Sequence, residues 1–132
     1  MDKVSEMLTK IRNAQMAGHK EVEIKFSKFK FALAEILKKE GFVEDVSQDK
    51  DEAGVIRIVL KYFQVSNTEK EPAIRGLKKV SKCGQRIYVK SKDIRTVKNN
   101  FGISIVSTSK GVMTGEDSRK LGLGGECICE IW

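Results

Sequence analysis

The chain has 132 residues, 40% of them hydrophobic, enough to build a core in one domain or in two small ones that share it. Its 25 Lys and Arg against 18 Asp and Glu give a formal charge of +7, which favours polyanionic partners. Three cysteines, with Cys127 and Cys129 only two apart, suit a reducing cytosol better than a disulfide framework; no apolar stretch approaches the roughly 20 residues of a membrane span, and Asp2, Lys3 and Glu6 stand where a secretory leader needs an apolar core.

In chain order, Val4, Met7, Leu8, Ile11 and Ala14 recur at helical spacing and Gly18 follows the last periodic turn, so residues 2–17 are predicted as an amphipathic helix. Val22, Ile24 and Phe26 alternate with Glu23 and Lys25, the period of a half-buried strand. Ser27 is an N-cap for a second helix whose stripe is Phe29, Ala32, Leu33, Ile36 and Leu37, closed by Lys38, Lys39 and Gly41. Residues 43–47 and 55–62 flank the polar segment QDKDEAG and predict an antiparallel hairpin, with Ile56, Ile58, Leu60 and Tyr62 on one face. The polar stretch VSNTEKEPA, residues 65–73, holds the only proline, Pro72, and marks a candidate boundary.

Residues 74–80 and 86–89 read as short strands around the turn SKCG, and DIRTVKNNFG as a short helix with Ile94 and Val97 inward. A strand from Gly102 delivers STSKG at 107–111. Thr114 with Asp117 predicts a capped short helix ending at Gly122, and residues 126–131 a closing strand with Cys127 and Cys129 on its inner face. The expected fold is α+β. An N-terminal α/β subdomain (α-β-α-β-β, residues 1–66) packs on a mainly β C-terminal subdomain with two short helices (67–132).

Catalysis has little to work with. His19 is the only histidine and reads as a solvated turn residue, without a partner at triad or metal-ligand spacing. Cys-x-Cys is not a zinc-knuckle spacing, STSKG lacks the upstream glycine of a phosphate loop, and GLGG at 122–125 does not follow a strand. No cofactor or metal is expected.

The charge is unevenly placed. Residues 1–66 hold 12 basic and 11 acidic side chains, whereas 67–132 hold 13 and 7. Between Lys70 and Lys98, ten Lys or Arg face only Glu71 and Asp93, either a solvated basic face or a surface that neutralises phosphates through residues such as Lys78, Lys79 and Arg86. Tyr88 adds an aromatic face near those charges. Ser107, Thr108 and Ser109 are either a hydroxyl-rich turn or donors and acceptors for sugar hydroxyls and base edges, with Lys110 for a phosphate. Neither predicted helix of this half clearly presents Arg, Asn or Gln to a major groove, so RNA is favoured over DNA.

The stretches MLTKIRNA (7–14), SKFKFALAEILKKEGF (27–42), LKKVSKCGQRIYV (77–89), GISIVSTSKGVMT (102–114) and GLGGE (122–126) together resemble the bacterial small-subunit ribosomal protein S-eight family over essentially the whole chain. The resemblance implies a non-enzymatic, cytoplasmic protein of the small ribosomal subunit. It would bind the central domain of small-subunit rRNA, help assemble the platform and adjoin proteins of the S-five and S-twelve families. A free-standing RNA-binding translational regulator, including one that represses its own mRNA, is the alternative. Carried over by position, the resemblance assigns Ser107, Thr108 and Ser109 to an RNA-contacting loop, puts Gly124, Gly125 and Glu126 beside it, and makes Lys28 and Lys30 a secondary contact. Phe26, Cys83 and Glu130 depart from the family's usual residues.

Overall fold

A computed structural model of the chain describes residues 3–48, 54–82, 84–94 and 102–132. Two compact units are apparent, Lys3–Arg75 and Gly76–Trp132.

In the first unit, helix α1 (Lys3–Met16) buries Val4, Met7, Leu8, Ile11 and Ala14 on one stripe. It ends where Gly18 turns to a φ of +72° and the His19 amide reaches the Ala14 carbonyl at 2.9 Å. Strand β1 (Glu21–Lys25) follows, then α2 (Lys28–Lys39), whose first turn is capped by the Ser27 hydroxyl accepting from the Lys30 amide at 3.1 Å. Strands β2 (Val43–Gln48) and β3 (Val55–Leu60) complete an antiparallel sheet of order β1-β3-β2. Ile24, Val43, Ile56, Ile58 and Leu60 form its buried side; α1 packs beside β1 and α2, and α2 against β2.

Two expectations change at the strand ends. Phe26 lies beyond β1, its amide donating to the Gly54 carbonyl at 2.5 Å and its ring tilted against Phe31. Tyr62 does not continue the β3 face. It opens β4 (Tyr62–Gln64), which pairs antiparallel with β5 (Lys70–Pro72), and its phenol donates to the His19 carbonyl at 2.5 Å. The polar segment read as a boundary is therefore a hairpin. Its turn is organised by the Ser66 hydroxyl, which accepts from the amides of Thr68 and Glu69 at 3.3 and 3.1 Å. The division between units falls after Arg75, beyond that ribbon, where composition alone placed its candidate boundary between 66 and 67.

The second unit is built on β10 (Gly125–Ile131), with sheet order β6-β10-β8-β9: β6 (Leu77–Lys79), β8 (Ile103–Thr108) and β9 (Gly111–Thr114). A two-residue strand, β7 (Tyr88–Val89), also pairs with β10. The strands expected over 74–80 and 86–89 are short because they share one edge of β10. β6 occupies Cys129–Ile131 and β7 occupies Gly125–Glu126. A 3₁₀ turn at Ser91–Asp93 leads to the buried Ile94; most of the helix expected at 93–102, with Val97, lies outside the described residues, as do Cys83 and most of QDKDEAG. Helix α3 (Gly115–Lys120) is capped as expected, the Thr114 hydroxyl accepting from the Asp117 amide at 3.2 Å.

Cys127 and Cys129 are both buried free thiols. The register shifts between them, so Cys127 faces Val106 while Cys129 faces Ile105, neighbours on β8 that project to opposite sides. The bulge thus removes the two-residue phase that would put both thiols on one inner face. Burial pushes the Cys129 thiol up to about 12, with Cys127 and Glu130 adding to the effect. A raised thiol value in the folded state means the unfolded chain releases this proton first. Its contribution to stability is present below the ordinary value of 9.0 and declines as pH rises towards 12. Urea melts from pH 8 to 11 should show a fall in stability that Cys129→Ser diminishes; equal falls in both proteins would locate the sensitivity elsewhere.

Candidate nucleic-acid interface

Residues directly opposite in antiparallel strands project from the same face of the sheet. Ser107 on β8 stands opposite Val112 on β9 and Glu126 on β10, and Glu126 stands opposite Tyr88 on β7. Val112, Ser107, Glu126 and Tyr88 therefore form one transverse row. Ser107, Glu126 and Tyr88, separated by up to 38 positions in sequence, become consecutive members of it.

Tyr88 is 70% exposed, an aromatic ring held at the surface rather than in the core. Arg86 lies two residues before it and sends one guanidinium nitrogen to both carboxylate oxygens of Glu126, at 3.1 and 3.0 Å. The arginine side chain is 62% exposed and the glutamate only 13%. The pair thus orients Arg86 more than it stabilises the fold.

The hydroxyl run divides in two. Thr108 is committed to the β8–β9 turn: its hydroxyl donates to the Gly111 carbonyl at 2.8 Å and accepts from the Lys110 amide at 3.2 Å. Gly111 takes the φ of +115° that this turn requires. Among the described residues, the hydroxyls of Ser107 and Ser109 have no hydrogen-bond partner, and Ser109 and Lys110 are exposed at the tip. Thus the turn explanation accounts for Thr108 and leaves Ser107 and Ser109 available.

Gly124 and Gly125 serve close packing of strands. A Cβ at Gly125 would overlap the Ser107 carbonyl, and one at Gly124 would come within 2.5 Å of the Val89 carbonyl. Their smallness brings β10 against β8 and against the end of β7, which draws the row together.

The lysines are more scattered than their spacing suggests. Lys79 pairs with Cys129, which faces Ile105, and so shares the face of Ser107. Lys78 pairs with Glu130, opposite Ser104, and projects from the other face. Lys28 is exposed at the start of α2. Lys30 requires a correction: at 4% exposure it belongs to the buried stripe with Leu33, Ala34 and Leu37, so its ammonium is not presented as a surface contact.

Sequence reasoning missed Ser81. This residue is 5% exposed, and its hydroxyl donates to the Cys127 carbonyl at 2.7 Å while accepting from the Ile87 amide at 2.9 Å. A serine opening a turn gives no sequence signal for such a tie across 46 residues. Among the described residues, no three His, Cys, Asp or Glu side chains cluster to hold a metal. The row offers hydroxyl donors and acceptors, a carboxylate acceptor, an aromatic face and a cation, which suits reading bases and sugars rather than bond cleavage.

Residues 2–132 match the family model described as ribosomal protein S8. The chain is 50% identical over 131 residues to the small ribosomal subunit protein uS8 of Nitratidesulfovibrio vulgaris strain Miyazaki F, covering 99% of this chain and 98% of that protein. It is 49% identical over 132 residues to uS8 of Caldanaerobacter subterraneus subsp. tengcongensis, and 46% identical over 132 residues to uS8 of Bacillus cereus strain B4264. In both cases the match covers 99% of this chain and 97% of the relative.

Proposed function

The chain belongs to the ribosomal protein S8 family, a structural, rRNA-binding and non-enzymatic constituent of the small ribosomal subunit, and from that premise we propose that it binds the central domain of small-subunit rRNA. In this reading it joins early, helps assemble the platform in the bacterial cytoplasm, and adjoins proteins of the S-five and S-twelve families.

The observation that carries the reading is the Tyr88–Glu126–Ser107 row with Arg86 beside it. Short polar groups in line on a sheet fit the shallow groove or an irregular, splayed helix of RNA better than the deep groove of a duplex. Around the row, Ser109, Lys110, Gly124, Gly125 and Lys79 complete the contact surface, Thr108 shapes its turn, and Lys28 is a secondary contact. Lys78 is at most peripheral, since it projects from the opposite face. Titration of the purified chain with transcripts of the separate rRNA domains tests this. Tight, saturable binding to the central-domain transcript alone is expected, and equal affinity for all transcripts would overturn the assignment.

Phosphate contacts leave their own signature. Lys110→Ala should lower the log–log salt slope of binding by about one unit, as the loss of one phosphate contact demands. Arg86→Ala should lower it less, because Glu126 already offsets part of that charge. Lys78→Ala should leave the slope near that of the parent. Slopes that fall equally for Lys78 and Lys110 would mean that the RNA contacts the Lys78 face as well as the β8–β9 turn.

A further inference from the structure

We propose that Ser81 is a positioning residue for the RNA interface, its buried hydroxyl tying the β10 bulge to the loop that presents Arg86 and Tyr88. This rests on the interface reading above and deepens it.

The gap between β7 and β6 along one edge of β10 creates the need. β7 pairs with β10 at Gly125 and Glu126, and β6 pairs with it from Cys129 to Ile131, so the shared edge has no regular strand partner at Cys127 and Ile128. An unpaired carbonyl or amide in a buried edge is costly. The segment around Ser81 fills the gap group by group. The Ile128 carbonyl accepts from the amides of Val80 and Ser81 at 3.0 and 3.4 Å, and the Cys127 amide donates to the Ile87 carbonyl at 2.8 Å. The Cys127 carbonyl accepts a hydrogen bond from the Ser81 hydroxyl at 2.7 Å, and the hydroxyl's lone pairs remain to accept from the Ile87 amide at 2.9 Å. One hydroxyl thus satisfies a carbonyl on β10 and an amide at the far end of the loop.

Between those anchor points Lys82 and Gln85 form an isolated antiparallel bridge. Lys82 and Gln85 exchange two backbone hydrogen bonds of 2.9 Å, and Gly84 adopts a φ of +86°. The Lys82–Gln85 pairing and the bonds at Ser81 and Ile87 fix the backbone on both sides of Arg86. Arg86 and Tyr88 flank Ile87, one on each side, so the Ile87 amide–Ser81 bond acts on both. Their distance from Glu126 and Ser107 is the geometry an RNA ligand would read. Nothing in the hydroxyl's environment offers it to a ligand; it works through its neighbours.

A double-mutant cycle on the full chain separates positioning from general support of the fold. The probe is the central-domain rRNA transcript, titrated well below the melting temperature of each variant. Ser81→Ala is expected to weaken binding by about fivefold or more. In an Arg86→Ala/Tyr88→Ala background it should weaken binding hardly at all, because the groups it positions are gone. If Ser81→Ala does not fold, Ser81→Cys takes its place in the cycle, since a thiol fills the space but hydrogen-bonds weakly. An Arg86→Ala/Tyr88→Ala variant that binds like the parent overturns this proposal and the interface reading together. A variant that binds weakly, yet still loses the full factor on Ser81 replacement, overturns only the role of Ser81.

Discussion

Replacing Ser107 by alanine is expected to weaken RNA binding by about five- to 150-fold, equivalent to roughly 1–3 kcal/mol for a buried group of the RNA left without its partner, while the melting temperature stays near that of the parent. The reason is where the hydroxyl stands. Ser107 is held by ladders on both sides, opposite Val112 and Glu126, so its backbone needs no help from its side chain. Its hydroxyl has no partner among the described residues and projects in line with Glu126 and Tyr88. Ser109, exposed at the tip, should show the same pattern with a smaller loss. Thr108→Ala should do the reverse. Loss of the bonds to the Gly111 carbonyl and Lys110 amide lowers stability by about 0.5–1.5 kcal/mol, and affinity of the folded fraction changes only through the loosened turn. Thermal melts and RNA titrations on the three variants decide the matter. If the Ser107→Ala titration overlays the parent while its melt drops, the hydroxyl is structural and the row is not the binding surface.

The contrast between Ser107 and Thr108 also shows what a sequence reveals here. Features set within a few residues were legible: the Ser27 and Thr114 caps, the glycines ending α1, α2 and α3, and the period-two pattern of β3 all follow from local spacing. Lys30 was legible in principle. It stands three, four and seven residues before Leu33, Ala34 and Leu37, the spacing of one helix face, although its charge argued for the surface. What stayed hidden depends on register between distant segments. No local signal says that β6 and β7 share one edge of β10, that a bulge separates Cys127 from Cys129, or that Lys78 and Ser107 face opposite ways. The polar composition of 65–73 was seen, but the same residues serve a hairpin turn as well as a linker. The hydroxyl run was read as a candidate site, while its division into one turn residue and two hydroxyls without a partner among the described residues required the ladder.

Gly125→Ala should be among the most damaging single-methyl changes in the chain, lowering stability by about 1–3 kcal/mol or more and weakening RNA binding with it. The glycine is not needed for its backbone freedom, since Gly125 is absent from the positive-φ positions, whereas Gly122 needs a φ of +69° and has open space where a Cβ would go. What Gly125 provides is contact distance. An added methyl meets the Ser107 carbonyl and comes within 3.2 Å of the Thr108 Cα, both backbone atoms of a strand already fixed by β9 on its other side. Backbone cannot rotate away as a side chain does, so β8 and β10 must separate at this end. That separation moves Ser107 from Glu126 and loosens the Gly125–Val89 pairing that holds Tyr88 in the row. Stability and affinity should therefore fall together, unlike the split expected for Ser107→Ala. For a unit this small, each kcal/mol lost corresponds to a fall of about 4–8 °C in Tm. Gly122→Ala serves as the control, with strain at a positive φ costing stability while the row keeps its spacing and its affinity. A Gly125→Ala protein that melts and binds like the parent would show that β8 and β10 tolerate a wider gap, and that the row does not depend on their closeness.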